Sequence, residues 1–88
     1  MNANRRRSIS KVIEKLEQMD ALKAELIEMI EEIKNDEEEA YENLPESLQE
    51  TDRGEAMQEA IDNLDNAQGD LDLIDIEAII DYLAEAQA

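Results

Sequence analysis

Residues 36–54 read DEEEAYENLPESLQETDRG: eight carboxylates, five of them before the only proline of the chain, and at the end one of its two glycines. Leu44 precedes Pro45, and proline biases the residue before it out of the helical region, so a helix arriving from upstream ends here. Pro45 then suits the first turn of a new segment, with Glu46 favourable at its positive end. PESLQE reads as a single helical turn. In TDRGE, Asp52 as N-cap and Glu55 three residues on give a capping-box-like start for the next helix. The stretch is a structured turn between two helices, with its carboxylates gathered at one end of the resulting hairpin.

Upstream of the turn, Ile9, Val12, Leu16, Met19, Leu22, Leu26, Ile30, Ile33, Ala40 and Leu44 recur at steps of three and four. On a helical wheel they form one stripe, with Met29 and Tyr41 at its edges. The spacing predicts helix 1 over residues 8–43, roughly 50 Å long, preceded by a basic arm over 1–7. Glu37 falls inside the stripe, which implies either local fraying or a nearby partner such as Arg53.

Downstream, Met57, Ala60, Ile61, Leu64, Ala67, Leu71, Ile74, Ala78 and Tyr82 make a second stripe, edged by Ile79. Gly69 lies within it and costs about 1 kcal/mol relative to alanine, which permits a kink. Because the apolar phase is kept across Gly69, the expectation is one continuous helix 2 over 53–86, after a turn over 44–52. Beyond Gly69 a further apolar stripe runs along its flank: Leu73, Ile76, Ile80 and Leu83. A two-helix hairpin covers only one such face, and four aliphatics left in water forfeit roughly 1.5 to 3 kcal/mol each. This predicts an oligomer interface at Leu73, Ile76, Ile80 and Leu83, with two hairpins forming a four-helix bundle. The alternative is that the N-terminal arm folds back over that stripe.

The predicted fold is therefore all-α: a long antiparallel helical hairpin in one domain, 1–88, pairing as a homodimer. With its centre near residue 48, such a hairpin places Lys23 near Asp75, and Lys11 and Lys15 near Asp81 and Glu85. An 88-residue chain buries a modest core, and a partner copy is a usual remedy. There is no cysteine and no histidine, which excludes disulfides and soft-metal sites. No apolar run approaches the ~18 residues that span a bilayer, and the start lacks a signal-like apolar region, so the expected location is the cytoplasm.

Net charge is −17, unevenly spread. Residues 1–23 hold six basic side chains against three acids, whereas residues 24–88 hold 22 acids against Lys34 and Arg53. Such a surface repels nucleic acid and anionic membranes and suits basic partners. NRRRSISK, residues 4–11, is basic but lacks the interleaved aromatics of a nucleic-acid contact, so it reads as an arm that pairs with the acidic C-terminal helix or keeps the domain soluble.

No catalytic, cofactor or metal site is expected. The pairs Glu28–Glu31 and Glu59–Asp62 have the helical spacing of magnesium-holding carboxylates, but the wheel puts them on the solvent face, whereas bundle metal ligands project inward. DNLDNAQGDLD, residues 62–72, fails as a calcium loop because Gly69 at position 6 puts Leu64 at position 1. Ser8, Ser10, Ser47 and Thr51 have no histidine to activate them.

The acidic rows remain. Glu25, Glu28, Glu32, Glu39 and Glu42 line helix 1, and Glu55, Glu59, Asp62 and Asp70 line helix 2. Row neighbours are about 5 to 6 Å apart, comparable with phosphates along a DNA strand. The net charge of the acidic part over such a hairpin is roughly 0.4 per Å, against about 0.6 for duplex DNA. Field alone thus suggests a DNA mimic, with Glu25, Glu28, Glu32, Glu39, Glu42, Glu55, Glu59 and Asp62 contacting a basic protein surface.

DEEEAYENLPESLQETDRGEAMQEAIDNLDNA, residues 36–67, resembles small acidic all-helical proteins of uncharacterised function encoded by phages and prophages, especially of Gram-positive bacteria. AYENLPESLQ and RGEAMQEAIDNL carry most of the likeness, and IEKLEQMDALKAELIEMIEEI upstream extends it over nearly the whole chain. The resemblance implies a phage-borne accessory protein, a class that includes anti-CRISPR and anti-restriction inhibitors of host defence. It transfers no catalytic residues. The rival reading is a structural or assembly module that binds a partner helix through its C-terminal aliphatic stripe, its charge serving only solubility.

Overall fold

A computed structural model describes residues 1–88 and is all-α. Its helices are α1 (Ala3–Glu42), α2 (Glu46–Gln49), α3 (Asp52–Asp72) and α4 (Ile76–Ala86). No helix is long and apolar enough to cross a membrane. The chain divides into two compact units, one of Met1–Glu25 with Ile74–Ala88 and one of Leu26–Leu73.

α1 begins five residues earlier than the apolar pattern predicts, so residues 3–7 of the expected basic arm are helical. Asn2 is the reason. Its Oδ1 accepts from the Arg5 backbone N–H at 2.9 Å, satisfying an orphan donor of the first turn. Ser8 consequently sits inside the helix, its hydroxyl donating to the Asn4 carbonyl at 3.1 Å. α1 also runs through Glu37 without fraying. That side chain is half-buried, and no ion pair joins it to Arg53.

In the Leu26–Leu73 unit, α1 and α3 lie antiparallel and α2 closes the crossover. The helical turn expected at PESLQE is present as α2, with Pro45 as its N-cap residue. Gln49 stitches the crossover to the end of α1, its Nε2 donating to the carbonyls of Tyr41 (3.2 Å) and Leu44 (3.1 Å). α3 starts one residue sooner than expected. Its N-cap is Thr51, not Asp52, and the Thr51 hydroxyl donates to the Leu48 carbonyl at 2.5 Å instead of capping α3. The carboxylate box predicted at Asp52 and Glu55 does not form, although both acids occupy the first turn, where the helix dipole favours them. Gly54 is buried against α2.

The expected single helix over 53–86 is two helices. Gly69 is helical with open space around it, and α3 passes through it to Asp72. The break falls at 73–75, where Asp75 caps α4: its Oδ1 accepts from the Ala78 N–H at 3.0 Å. A short acid that bonds the backbone ahead of it favours a new helix start over continuation.

The break shifts the apolar phase by one residue. In α3 the inward positions are Met57, Ile61, Leu64, Gln68 and Leu71, a phase that would continue to Asp75, Ala78 and Tyr82. In α4 they are Ile76, Ile80, Leu83 and Gln87. This corrects the predicted oligomer interface. Ile76 is 2 % exposed, Ile80 and Leu83 are half-buried within the chain, and of the four only Leu73 is exposed. Burying Ile76 stabilises the unit of Met1–Glu25 and Ile74–Ala88 by about 1.5 to 3 kcal/mol. Ile79 and Tyr82 are turned outward.

The antiparallel register is close to the expected one within each unit. Lys23 Nζ donates to the Ile74 carbonyl at 2.6 Å, and Gln87 Nε2 to the Arg6 carbonyl (3.0 Å) and the Ser10 hydroxyl (2.7 Å). No ion pair joins Lys11 or Lys15 to Asp81 or Glu85, so the register of this unit is held by lysine and glutamine bonds to backbone and hydroxyl groups.

Candidate protein-binding surface

Two faces of α1 are set by what it packs against. The inward face carries Ile9, Ile13, Leu16, Asp20, Lys23, Ile27, Ile30, Lys34, Glu37 and Tyr41, a 3.5-residue repeat with four charged members. The outward strip carries Glu25, Glu28, Glu32, Glu39 and Glu42, and all five are exposed. On a wheel the strip is centred about 150° from the inward face, so it can hold charge without desolvating it. Glu55, Glu59, Asp62 and Asp70 are likewise exposed along α3.

These carboxylates are not neutralised from within. None of the eight predicted contact residues forms an ion pair with a lysine or arginine of the chain. Two basic residues of α1 are engaged elsewhere: Lys23 with the Ile74 carbonyl, and Lys34 in a polar network on the inward face.

That network was not anticipated. Lys34 Nζ lies 3.2 Å from Asp65 Oδ1 and 3.5 Å from Glu31 Oε2, while Gln68 Nε2 donates to Glu31 Oε2 at 2.6 Å and to the Ile27 carbonyl at 3.4 Å. The hydrogen bond that the Lys34 ammonium donates to Asp65 holds it above its ordinary pKa of 10.5. Partial burial opposes this, and the charges of Glu31 and Asp65 add to it. Glu31 therefore differs from its expected place on the solvent face: it belongs to the α1–α3 contact. The signal for it was a lysine and a glutamine at inward-facing heptad positions.

No protein-family model matches the chain, and no curated protein or solved structure is significantly similar to it. The surface must be read from its own chemistry. It offers rows of uncompensated carboxylates at helical spacing, suited to lysine- and arginine-rich sites whose natural ligand is a phosphate backbone. A shallow groove between α1 and α4 is also acidic, lined by Glu17, Asp20, Glu77 and Asp81 around Ile80. The apolar counterpart is a set of exposed side chains on α1: Val12, Met19, Leu22, Leu26, Met29 and Ile33, between 44 % and 57 % exposed.

Proposed function

We infer that the chain is a phage-encoded, non-enzymatic protein-binding protein that inhibits a host anti-phage nuclease of the kind targeted by anti-CRISPR and anti-restriction proteins. It occupies the nuclease's basic nucleic-acid site with the carboxylate rows of α1 and α3, and it works as a homodimer of helical hairpins. The observation that carries this reading is that Glu25, Glu28, Glu32, Glu39, Glu42, Glu55, Glu59 and Asp62 are all exposed and all without an internal cation. A basic groove meeting such rows exchanges its counterions for them, as it would for phosphates.

The test is inhibition of candidate defence nucleases across ionic strength. Electrostatic occupation weakens steeply with added salt, because exposed charge pairs are screened within about 10 Å at 0.1 M. Reversal of Glu25, Glu28 and Glu32 to lysine abolishes inhibition while leaving the helical circular dichroism intact. Binding that survives both changes supports the second reading, an assembly module. The exposed aliphatics of α1 favour that reading, and it loses its partner on Leu26→Asp.

A further inference from the structure

The exposed apolar residues of α1 form a heptad seam. Val12, Met19, Leu26 and Ile33 are spaced by seven, and Leu22 and Met29 occupy the matching positions between them, the a and d sites of a coiled coil. The seam is centred about 100° around the helix from the inward face, the relation shown by a bundle helix that packs against two neighbours. Only one of those neighbours is supplied by the chain itself.

Area identifies the second neighbour. The chain exposes 6695 Å². A folded monomer of 10.0 kDa exposes about 5,200 Å², which leaves about 1,450 Å² of excess per chain. Two copies covering that excess would bury about 2,900 Å², within the range of about 2,000 to 5,000 Å² for obligate homodimers. The chain's own core is correspondingly small: Ile61 and Ile76 are its buried hydrophobic residues.

Charge identifies the direction. The heptad positions that interrupt the seam are Lys15 and Asp36, one towards each end, opposite in sign, both exposed and neither paired within the chain. Parallel pairing stacks Lys15 on Lys15 and Asp36 on Asp36. Antiparallel pairing sets Met19 against Met29 and Leu22 against Leu26, and brings Lys15 of one copy one layer from Asp36 of the other. It also places Lys11 beside Glu39 along one edge of the seam, leaving Glu25 on that edge and Lys23 on the other each facing its own copy at the centre.

We propose that this seam is the interface with a second copy of the chain, laid antiparallel, with Val12 of each copy against Asp36 of the other and Lys15 one layer from it. The proposal rests on the reading of the chain as a homodimer, and it draws Glu25 and Glu39 of the α1 row to the edge of the interface. Glu28 and Glu42 stay on the far side of the strip, away from the seam.

Sedimentation equilibrium of the full chain tests the pairing, and engineered disulfides test its direction, since the chain has no cysteine of its own. Val12→Cys and Asp36→Cys chains, mixed and oxidised, are expected to give the mixed disulfide in several-fold excess over either homodisulfide. A wild-type chain that sediments as a monomer at high micromolar concentration overturns the homodimer reading and the proposal together. A dimer dominated by the Val12→Cys homodisulfide, or one forming neither link, retains the homodimer and overturns the antiparallel seam. Because these residues are exposed, a charge swap adds a test that does not disturb folding. Asp36→Lys weakens dimerisation about tenfold, and Lys15→Asp with Asp36→Lys restores it. No effect from Asp36→Lys overturns the Lys15–Asp36 contact.

Discussion

The α-carbon of Gly54 lies so close to the backbone carbonyl of Gln49 that a β-carbon on it would overlap the carbonyl group. Gly54 has no positive φ, so backbone freedom is not what requires glycine here; the close approach of α3 to α2 is. Gly54→Ala must push the two short-range neighbours apart, and overpacking of this kind costs about 1 to 3 kcal/mol. Gly69 is the opposite case: its surroundings are open and its conformation helical. Gly69→Ala is expected to stabilise the chain by about 0.4 to 1 kcal/mol. Urea denaturation followed by circular dichroism separates the two, and equal effects of either sign would contradict the packing described for the crossover.

Gln49 contributes to the same crossover through its side chain. Gln49→Ala removes both donors from the Tyr41 and Leu44 carbonyls at the end of α1 and is expected to cost about 1 kcal/mol. Hydrogen exchange should localise the loss to the last turn of α1 and to α2, with the amides of α4 unchanged.

Asp75 starts α4 by accepting from the Ala78 N–H. Asp75→Ala is expected to cost about 1 kcal/mol, and Asp75→Asn to cost much less, because asparagine offers the same acceptor. The same urea titrations read both values. A full loss with Asn would mean that the carboxylate charge at the helix start matters more than the hydrogen bond.

The Lys34 network makes an alkaline prediction. The pKa of Lys34 is raised in the folded chain, so the folded state holds its proton more tightly than the unfolded state does. That contribution is complete below the ordinary value of 10.5 and is lost as pH rises through the higher folded value. Stability measured across that window should fall less steeply for Lys34→Met than for the parent chain. Identical slopes would show that the ammonium gains nothing from Asp65 and Glu31.

Much of this architecture was legible in the residues, and the gaps have specific causes. Leu44–Pro45 and the single turn after it located the crossover, because proline acts through local sterics that tertiary packing does not override. The start of α1 was missed because Asn2 caps a first turn made of arginines, where no apolar periodicity announces a helix. The joint at 73–75 left a trace in the sequence, the change of apolar stripe beyond Gly69. A phase change has two readings, a second surface or a broken helix, and Asp75 as a cap residue was the cue for the second. The expected stripe of α1 was split for a related reason: Ile9, Leu16 and Ile30 of it face inward and the rest do not. Periodicity picks the most hydrophobic stripe, which includes Val12, Met19, Leu22, Leu26 and Ile33, whereas the chain turns inward a stripe containing Asp20, Lys23 and Lys34.

All the acidic contact residues chosen from the sequence are exposed, because wheel position away from both apolar stripes is enough to place a surface carboxylate. What the sequence did not show is that Lys23 and Lys34 are occupied by partners of their own, which leaves the rows uncompensated.

The joint at 73–75 makes the C-terminal helix sensitive to chain length in a way that its composition does not reveal. Each residue of a helix turns the next by about 100°, so removing Ile74 would move every later side chain one place along the inward and outward positions of α4. Glu77, Asp81 and Ala84 would then take the inward places of Ile76, Ile80 and Leu83. For this protein a one-residue deletion at the joint is a heavier lesion than most substitutions. Relatives that keep the fold should vary at positions 73 and 74 while keeping a capping residue at 75 and the same number of residues.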